Sequence, residues 1–247
     1  MSGPAMNKGA DVFRLKEARL VAGERRLSFE TENRPAIERH WQAALAANPR
    51  LWNGPAFMFE DVRIEAGVLT GTGQTTDFAT FLFWRDNGRP EDVTHITGTS
   101  MPVMADGSLF AVRMAAHTAN AGDIYFPAGS LDVDDVIGGR FDVSRNIARE
   151  LAEETGLEFR DADAEADFAA VRDRGAIYLT RRNRLPFDFA EGLERLRRHQ
   201  AQTGDDEIET AIAVRSQGEA LERLKPHARA LADWHFENEA FSCSGRR

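Results

Sequence analysis

Residues Arg149-Glu150-Leu151-Ala152-Glu153-Glu154-Thr155-Gly156-Leu157 place three carboxylates at i, i+3 and i+4. On a helix Glu150, Glu153 and Glu154 therefore share one face. At about 100° per residue, Ile147, Ala148, Leu151 and Ala152 gather on another side, which suits burial against a core. Carboxylates held this close repel one another and cost stability unless cations neutralise them. The pattern points to a site for hard divalent ions that favour oxygen ligands, with Mg²⁺ the first expectation. Asp142 is a fitting N-cap for this helix, and Gly156 fits the left-handed position that ends it.

The string resembles the second half of the Nudix box, G-x5-E-x7-R-E-U-x-E-E-x-G-U, in which U is a bulky apolar residue. The match is complete from Arg149 through Leu157. Upstream, Phe126-Pro127-Ala128-Gly129 is similar to the strand end and glycine turn that open the box, with Ala128 where a second Gly is common. The first half departs from the pattern. Gly129 to Arg149 spans 149 − 129 = 20 positions, against 14 in the motif, which implies a six-residue insertion within Ser130 to Arg140. Counting back eight from Arg149, the first Glu of the motif falls on Phe141, a departure that puts its supporting salt bridge in question and leaves the carboxylates that resemble the metal ligands untouched.

The resemblance implies an α/β fold, a Nudix-type α/β/α sandwich with a mixed sheet. It also implies hydrolysis of a phosphoric anhydride. Glu150, Glu153 and Glu154 are then metal ligands for Mg²⁺, with Mn²⁺ the alternative, and the backbone carbonyl of Ala128 joins them. Arg149, one turn before Glu153, would pair with it and fix its orientation, or form an ordinary surface pair. For the base that deprotonates the attacking water there are two sources. One is Glu150. The other is Glu207 or Glu209 in the late acidic run Asp205-Asp206-Glu207-Ile208-Glu209, whose bland alternative is a solvated loop. Asp132, Asp134 and Asp135 are read chiefly as keeping the lengthened loop soluble, with a place facing the metals the alternative. Glu153→Gln or Glu154→Gln is expected to cut turnover by orders of magnitude.

Substrate identity is less sharply written. Leu51-Trp52-Asn53-Gly54 before an apolar strand is similar to the N-terminal segment of the Nudix branch that cleaves UDP-sugars. Trp52, Phe57, Phe59 and Trp84 are candidates to stack on a base or sugar, against the commoner fate of such residues as core. The extra motif of the CoA-cleaving branch is not seen. The expected partner is thus a small nucleoside diphosphate derivative. The rival expectation is a catalytically silent Nudix-fold sensor, which Phe141 and the insertion favour.

Bulk properties bound these readings. The 247 residues suffice for one large domain or a domain with an extension. A net charge of −9 argues against a nucleic-acid grip, which needs a basic face. Cys243 is the only cysteine, excluding an intrachain disulfide or a cysteine metal cluster. No stretch resembles a signal peptide or approaches the roughly 18 apolar residues of a membrane span, so a cytoplasmic protein is expected. Only Lys8, Lys16 and Lys225 are lysines, a usage suggesting a GC-rich bacterial source. Oligomeric state is left open, with a dimer among the options.

Met1 to Asp11 is polar and expected to be mobile. Ala18 to Phe29 reads as a strand pair around Gly23-Glu24, and Pro35 to Ala47 as an amphipathic helix. Ala56 to Ile64 and Gly67 to Thr72 alternate as half-buried strands do. Thr76-Asp77 would cap a short apolar helix, Phe78 to Trp84. Residues 1–90 form an N-terminal extension packed on a catalytic domain, 91–247. Within the latter, Thr99 to Met114 is a hairpin around Asp106-Gly107, and Asp123 to Phe126 a short strand. Strands follow at Asp167 to Val171, Ala176 to Thr180 and Ile208 to Val214. Helices are expected at Phe187 to Gln202, at Gln217 to Leu224 behind a Ser216 cap, and from His227 to about Asn238.

Overall fold

The computed structural model describes residues 12–238 and 240–243, so the segment expected to be mobile, Met1 to Asp11, lies outside the described residues. The chain runs β1 (Val12–Leu15), β2 (Glu17–Arg26), α1 (Ser28–Ala47), β3 (Pro55–Glu65), β4 (Val68–Asp77) and α2 (Phe78–Asp86). It continues through β5 (His95–Val103), β6 (Leu109–Met114), β7 (Ile124–Tyr125), β8 (Ala128–Ser130), β9 (Val136–Ile137) and β10 (Arg140–Phe141). After α3 (Val143–Thr155) come β11 (Phe168–Asp173), β12 (Ala176–Arg184), α4 (Phe189–Thr203), β13 (Ile208–Val214), α5 (Glu219–Glu222) and α6 (Pro226–Glu237).

The larger sheet has the order β1-β11-β12-β5-β6-β13, with β7 added to β6 and β8 to β5. It is mixed, because β12 and β5 run parallel while the other pairs are antiparallel. Strand alternation divides its side chains between two cores. Leu109, Ala111, Ala169 and Val171 face one way and pack with Leu221, Leu224, Leu231 and Ala232 of the α5–α6 region. Phe110, Val112, Ala170 and Leu179 face the other way, toward Ile147 and Leu151 of α3 and Leu196 of α4. Helices thus cover both faces, giving the α/β/α arrangement expected from the sequence.

A second sheet, β3-β4-β2-β10-β9, is built mainly from the first 90 residues. The two halves exchange strands. β1 pairs with β11 in the larger sheet, while β10 pairs with β2 in the smaller one. The boundary expected after residue 90 is therefore crossed by strand pairing in both sheets.

Three local expectations are corrected. Ala18 to Phe29 is not a strand pair: β2 runs unbroken past Gly23 to Arg26, and α1 begins at Ser28. Gly23 is needed for close approach rather than for a turn, since a Cβ there would meet Gln74 Oε1 at 2.1 Å. The helix expected from Pro35 starts seven residues earlier, at Ser28, although Pro35 forfeits a backbone bond inside it. Its first turn is anchored by buried Glu30, which accepts from Arg26, Arg34 and Thr76 Oγ1. Ser216 caps nothing, and α5 is a single turn preceded by Gly218. By contrast Asp77 caps α2 by accepting from the Thr80 N–H, as the sequence suggests.

The C-terminal segment is fastened by Arg182, which is fully buried. Its guanidinium donates to both carboxylate oxygens of Glu165, at 2.7 and 2.8 Å, and lies 4.3 Å from the ring centroids of Trp234 and Phe241. A planar cation with five donors is suited to a site combining stacking with two-point pairing.

Candidate active site

The helix α3 carries the carboxylate ridge, and its caps form as the sequence predicts. Asp142 accepts from the Arg145 N–H, and Gly156 closes the helix in the left-handed region at φ 67°. Ile147 and Leu151 are fully buried, each worth about 1.5–3 kcal/mol of apolar burial, and they fix which face of α3 is turned outward. Two glycines bring the neighbouring strands close. A Cβ on Gly98 would lie 2.0 Å from Asn146 Oδ1, and one on Gly129 would lie 1.9 Å from the Glu150 carboxyl carbon. The Glu150 carboxylate therefore rests directly on the glycine of the turn. Gly129→Ala is expected to push it aside and lower turnover by about 100-fold, the scale for misplacing a reacting group by about 1 Å. The same variant should retain its far-UV circular dichroism, and wild-type turnover would show that Glu150 needs no such seat.

Arg149 is the hub of the site. It donates to Asp135 from Nε at 3.3 Å and from Nη2 at 3.0 Å, to Asp132 at 3.0 Å and to Glu153 at 2.8 Å. Its Nη2 also lies 2.8 Å from Glu150 Oε1. Asp135 is fully buried and accepts from Asn146 Nδ2 at 2.8 Å as well. This corrects two expectations. The supporting salt bridge is present, and Asp132 and Asp135 are structural partners of Arg149 rather than residues that solubilise a loop. Counted forward from Gly129, the acidic position of the motif is 129 + 6 = 135, which is Asp135. The insertion follows it as the six residues 136–141, folded as the hairpin β9–β10 around Gly138 and Gly139, both at positive φ. Phe141, reached by counting backward, is a core residue that packs edge-on against Phe57 and Phe59.

Electrostatics mark the site as short of positive charge. Burial pushes the Glu150 carboxyl up to about 7, against the pull of Arg149 and with help from Glu153. Glu154 is raised well above the usual carboxylate range, first by burial and then by Glu150, while the Ala128 N–H that it accepts from at 3.2 Å opposes the shift. Burial also disfavours the charge of Arg149, but Asp135 and Glu150 outweigh it and keep the guanidinium protonated. Close oxygen donors that resist losing their protons suit a hard divalent cation, which would stabilise their charged forms. Among the described residues, no three His, Cys, Asp or Glu side chains converge as a metal-binding group. Glu153 is exposed and held by Arg149, whereas Glu150 and Glu154 are drawn inward.

The late acidic run separates into distinct roles. Asp206 pairs with Arg50 at 3.1 Å and His117 at 3.3 Å, and Glu209 pairs with Arg113 at 2.8 Å. Glu207 and Asp205 instead raise the proton affinity of Glu154, which puts them on the side of the carboxylate pair. The Glu207 backbone is fixed, its carbonyl accepting from the Ala115 N–H and its N–H donating to Asp205 Oδ1.

Beside the turn opens a cavity of about 520 Å³, within the usual range for small-molecule sites. Ala128 and Ser130, which flank Gly129, form part of its wall. Of the four aromatic candidates, Phe57 and Phe59 are core, Trp52 is 76% exposed, and only Trp84 lines the cavity. Sequence reasoning missed Phe81, Arg89, His95, Tyr178 and His227, which also line it. They come from distant segments and carry no shared spacing that could have betrayed them.

No protein-family model matches the chain, and no curated protein matches it. Solved structures do. A MutT protein from Methanosarcina mazei Go1 is 17% identical, over 59% of this chain and 95% of that one, with a TM-score of 0.40. The NUDIX domain of Shewanella oneidensis NrtR, solved with ADP ribose, is 13% identical over 64% of this chain and 98% of that one, TM-score 0.42. A NUDIX hydrolase from Nitrosomonas europaea is 18% identical over 59% and 88%, TM-score 0.38. These three solved structures, to which the chain is similar over part of its length, are Nudix and MutT proteins.

Proposed function

We propose that this chain is a Nudix-type pyrophosphohydrolase acting on a nucleoside diphosphate linked to another moiety, with UDP-sugars the first candidates. The observation that carries the reading is the carboxylate pair Glu150 and Glu154, seated against Gly129 and Ala128 and organised by Arg149. Glu150 and Glu154 would hold the metal, with Glu153 and the Ala128 carbonyl the further ligands implied by the resemblance. When bound, Mg²⁺ or Mn²⁺ supplies positive charge against the phosphate oxygens and makes a bound water more acidic.

The chain's own residues account for the rest. A water oxygen bonds to phosphorus as the bridging P–O bond breaks, giving a nucleoside monophosphate and a phosphorylated remainder. One proton of the water passes to a carboxylate, for which Glu150 and Glu207 are the candidates, and the other stays with the new phosphate. Arg149 orients Glu150 and Glu153 by direct donation. The alternative of a silent binding module drew on Phe141 at the acidic position. That support is withdrawn, because Asp135 pairs with Arg149 and Phe141 lies in the core.

The test is product analysis after incubation with UDP-glucose, ADP-ribose, CoA and dinucleoside polyphosphates, with and without Mg²⁺. UMP plus glucose 1-phosphate, formed only with metal, is the expected result. Cleavage of a different substrate would keep the reaction and overturn the UDP-sugar choice. Nucleotide binding without any product would favour the silent module.

A further inference from the structure

We propose that the cavity between α2 and α6 receives the nucleoside monophosphate half of the substrate, its ring against Phe81 and Tyr178 and its anionic side on Arg89. The proposal rests on the pyrophosphohydrolase reading and assigns the first 90 residues a part in recognition. Phe78, Phe81, Trp84, Arg85 and Arg89 bring one wall from that portion of the chain, and Tyr178, Lys225 and His227 stand among the residues from the remainder.

Position is the first argument. Ala128 and Ser130 line the cavity, and Gly129 between them seats the Glu150 carboxylate, while the Ala128 N–H holds Glu154. Alternation along β8 puts the cavity and the Glu150 seat on opposite faces of that strand, so a ligand filling the cavity reaches the carboxylate pair by passing its phosphates around the β8 edge, where the Ala128 N–H holds Glu154.

The second argument is the chemistry of the walls. Tyr178 and His227 stack at 3.7 Å with an interplanar angle of 1°, and Phe81 and His95 lie 4.4 Å apart. Burial, aided for His95 by Arg89 and Arg85 and for His227 by Lys225 and Arg89, lowers both imidazoles to about 4. At neutral pH both are uncharged and, being buried, back the half-buried rings of Phe81 and Tyr178, which are the surfaces on which a base would stack.

The third argument is a cation left over. Around the cavity, Arg85 is paired with Asp86, Arg174 with Asp173 and Lys225 with Asp123. No carboxylate lies within ion-pair distance of Arg89 among the described residues; its guanidinium has a long 3.4 Å bond to the Arg174 carbonyl and lies over Trp84. Arg89 and Arg174 also hold left-handed backbone, at φ 53° and 43°, two of four non-glycine residues that do so among those described. For Arg174 this is the geometry of the two-residue turn Arg174-Gly175 that joins β11 to β12. An unpaired guanidinium at the rim of an aromatic cavity is suited to a phosphate.

Calorimetric titration with UMP, AMP and ribose 5-phosphate, without metal, tests this directly. Arg89→Gln should weaken UMP or AMP by at least about 10-fold, the scale of one charge-assisted hydrogen bond, and Arg89→Lys should recover part of it. Phe81→Leu should weaken the nucleotides by about fivefold or more but leave ribose 5-phosphate unchanged, because stacking needs the base. In hydrolysis the same variants should raise KM with little change in kcat. Wild-type affinity in both Arg89→Gln and Phe81→Leu, each with an unchanged melting midpoint, would overturn the proposal even if hydrolysis were observed. Loss of nucleotide binding in these variants, in a protein that hydrolyses nothing, would keep the cavity assignment and overturn the hydrolase reading instead.

Discussion

Glu154→Gln is expected to reduce turnover at saturating Mg²⁺ by about 10³-fold or more while the protein melts at the same temperature or higher. The two halves of this expectation share one physical cause. Glu154 is half-buried beside Glu150, with Glu207 and Asp205 adding further negative charge, so its ionised form is costly in the metal-free protein. Glutamine removes that cost, and its Oε1 can still accept from the Ala128 N–H. It also removes an anionic oxygen needed to hold a divalent ion, and with it the charge stabilisation on which phosphoryl chemistry depends. Glu153→Gln should do less than the sequence alone suggests, because Glu153 is exposed and already spends its charge on Arg149. Wild-type turnover in Glu154→Gln would remove this residue from the metal site, and a lowered melting point would contradict the buried-charge argument.

Arg149→Met is expected to cost about 3–5 kcal/mol of folding stability, because it strips the only basic partner shown for a fully buried carboxylate. Asp135 would keep the Asn146 amide as a donor, but no basic side chain would remain within ion-pair distance among the described residues. Activity should fall with it, since Glu150 and Glu153 lose the group that orients them. The double variant Arg149→Met with Asp135→Leu separates the effects. Replacing both partners by apolar groups should restore a large part of the stability, measured by urea unfolding, without restoring the proposed hydrolysis. If the double variant were no more stable than Arg149→Met, the buried pair would not be the source of the loss.

Asp135 and Phe141 show where a motif count fails. Both counts use the same spacing rule, one from Gly129 and one from Arg149, and an insertion makes them disagree. Nothing local decides between an acidic residue that could serve a loop and a phenylalanine that could serve a core. The structure decides by burial: Asp135 reaches Arg149 inside the box, and Phe141 reaches Phe57 and Phe59 in the smaller sheet. The late acidic run was similarly undivided in the sequence. Arg50, His117 and Arg113, far away in the chain, take Asp206 and Glu209 and leave Glu207 on the side of Glu154.

By itself the sequence determined α3, its Asp142 and Gly156 caps, the face that carries Glu150, Glu153 and Glu154, and the strand periods behind the larger sheet. Those features are set within a few residues, by helical and pleated geometry and by backbone groups that must find nearby partners. Tertiary structure alone decided the exchange of β1 and β10 between sheets, the seat of Glu150 on Gly129, and a cavity walled by α2 and α6. Each of these depends on which distant surfaces exclude water together. Apolar burial rewards any well-packed pairing without encoding the partner in local spacing, so such pairings become legible only once the chain has closed on itself.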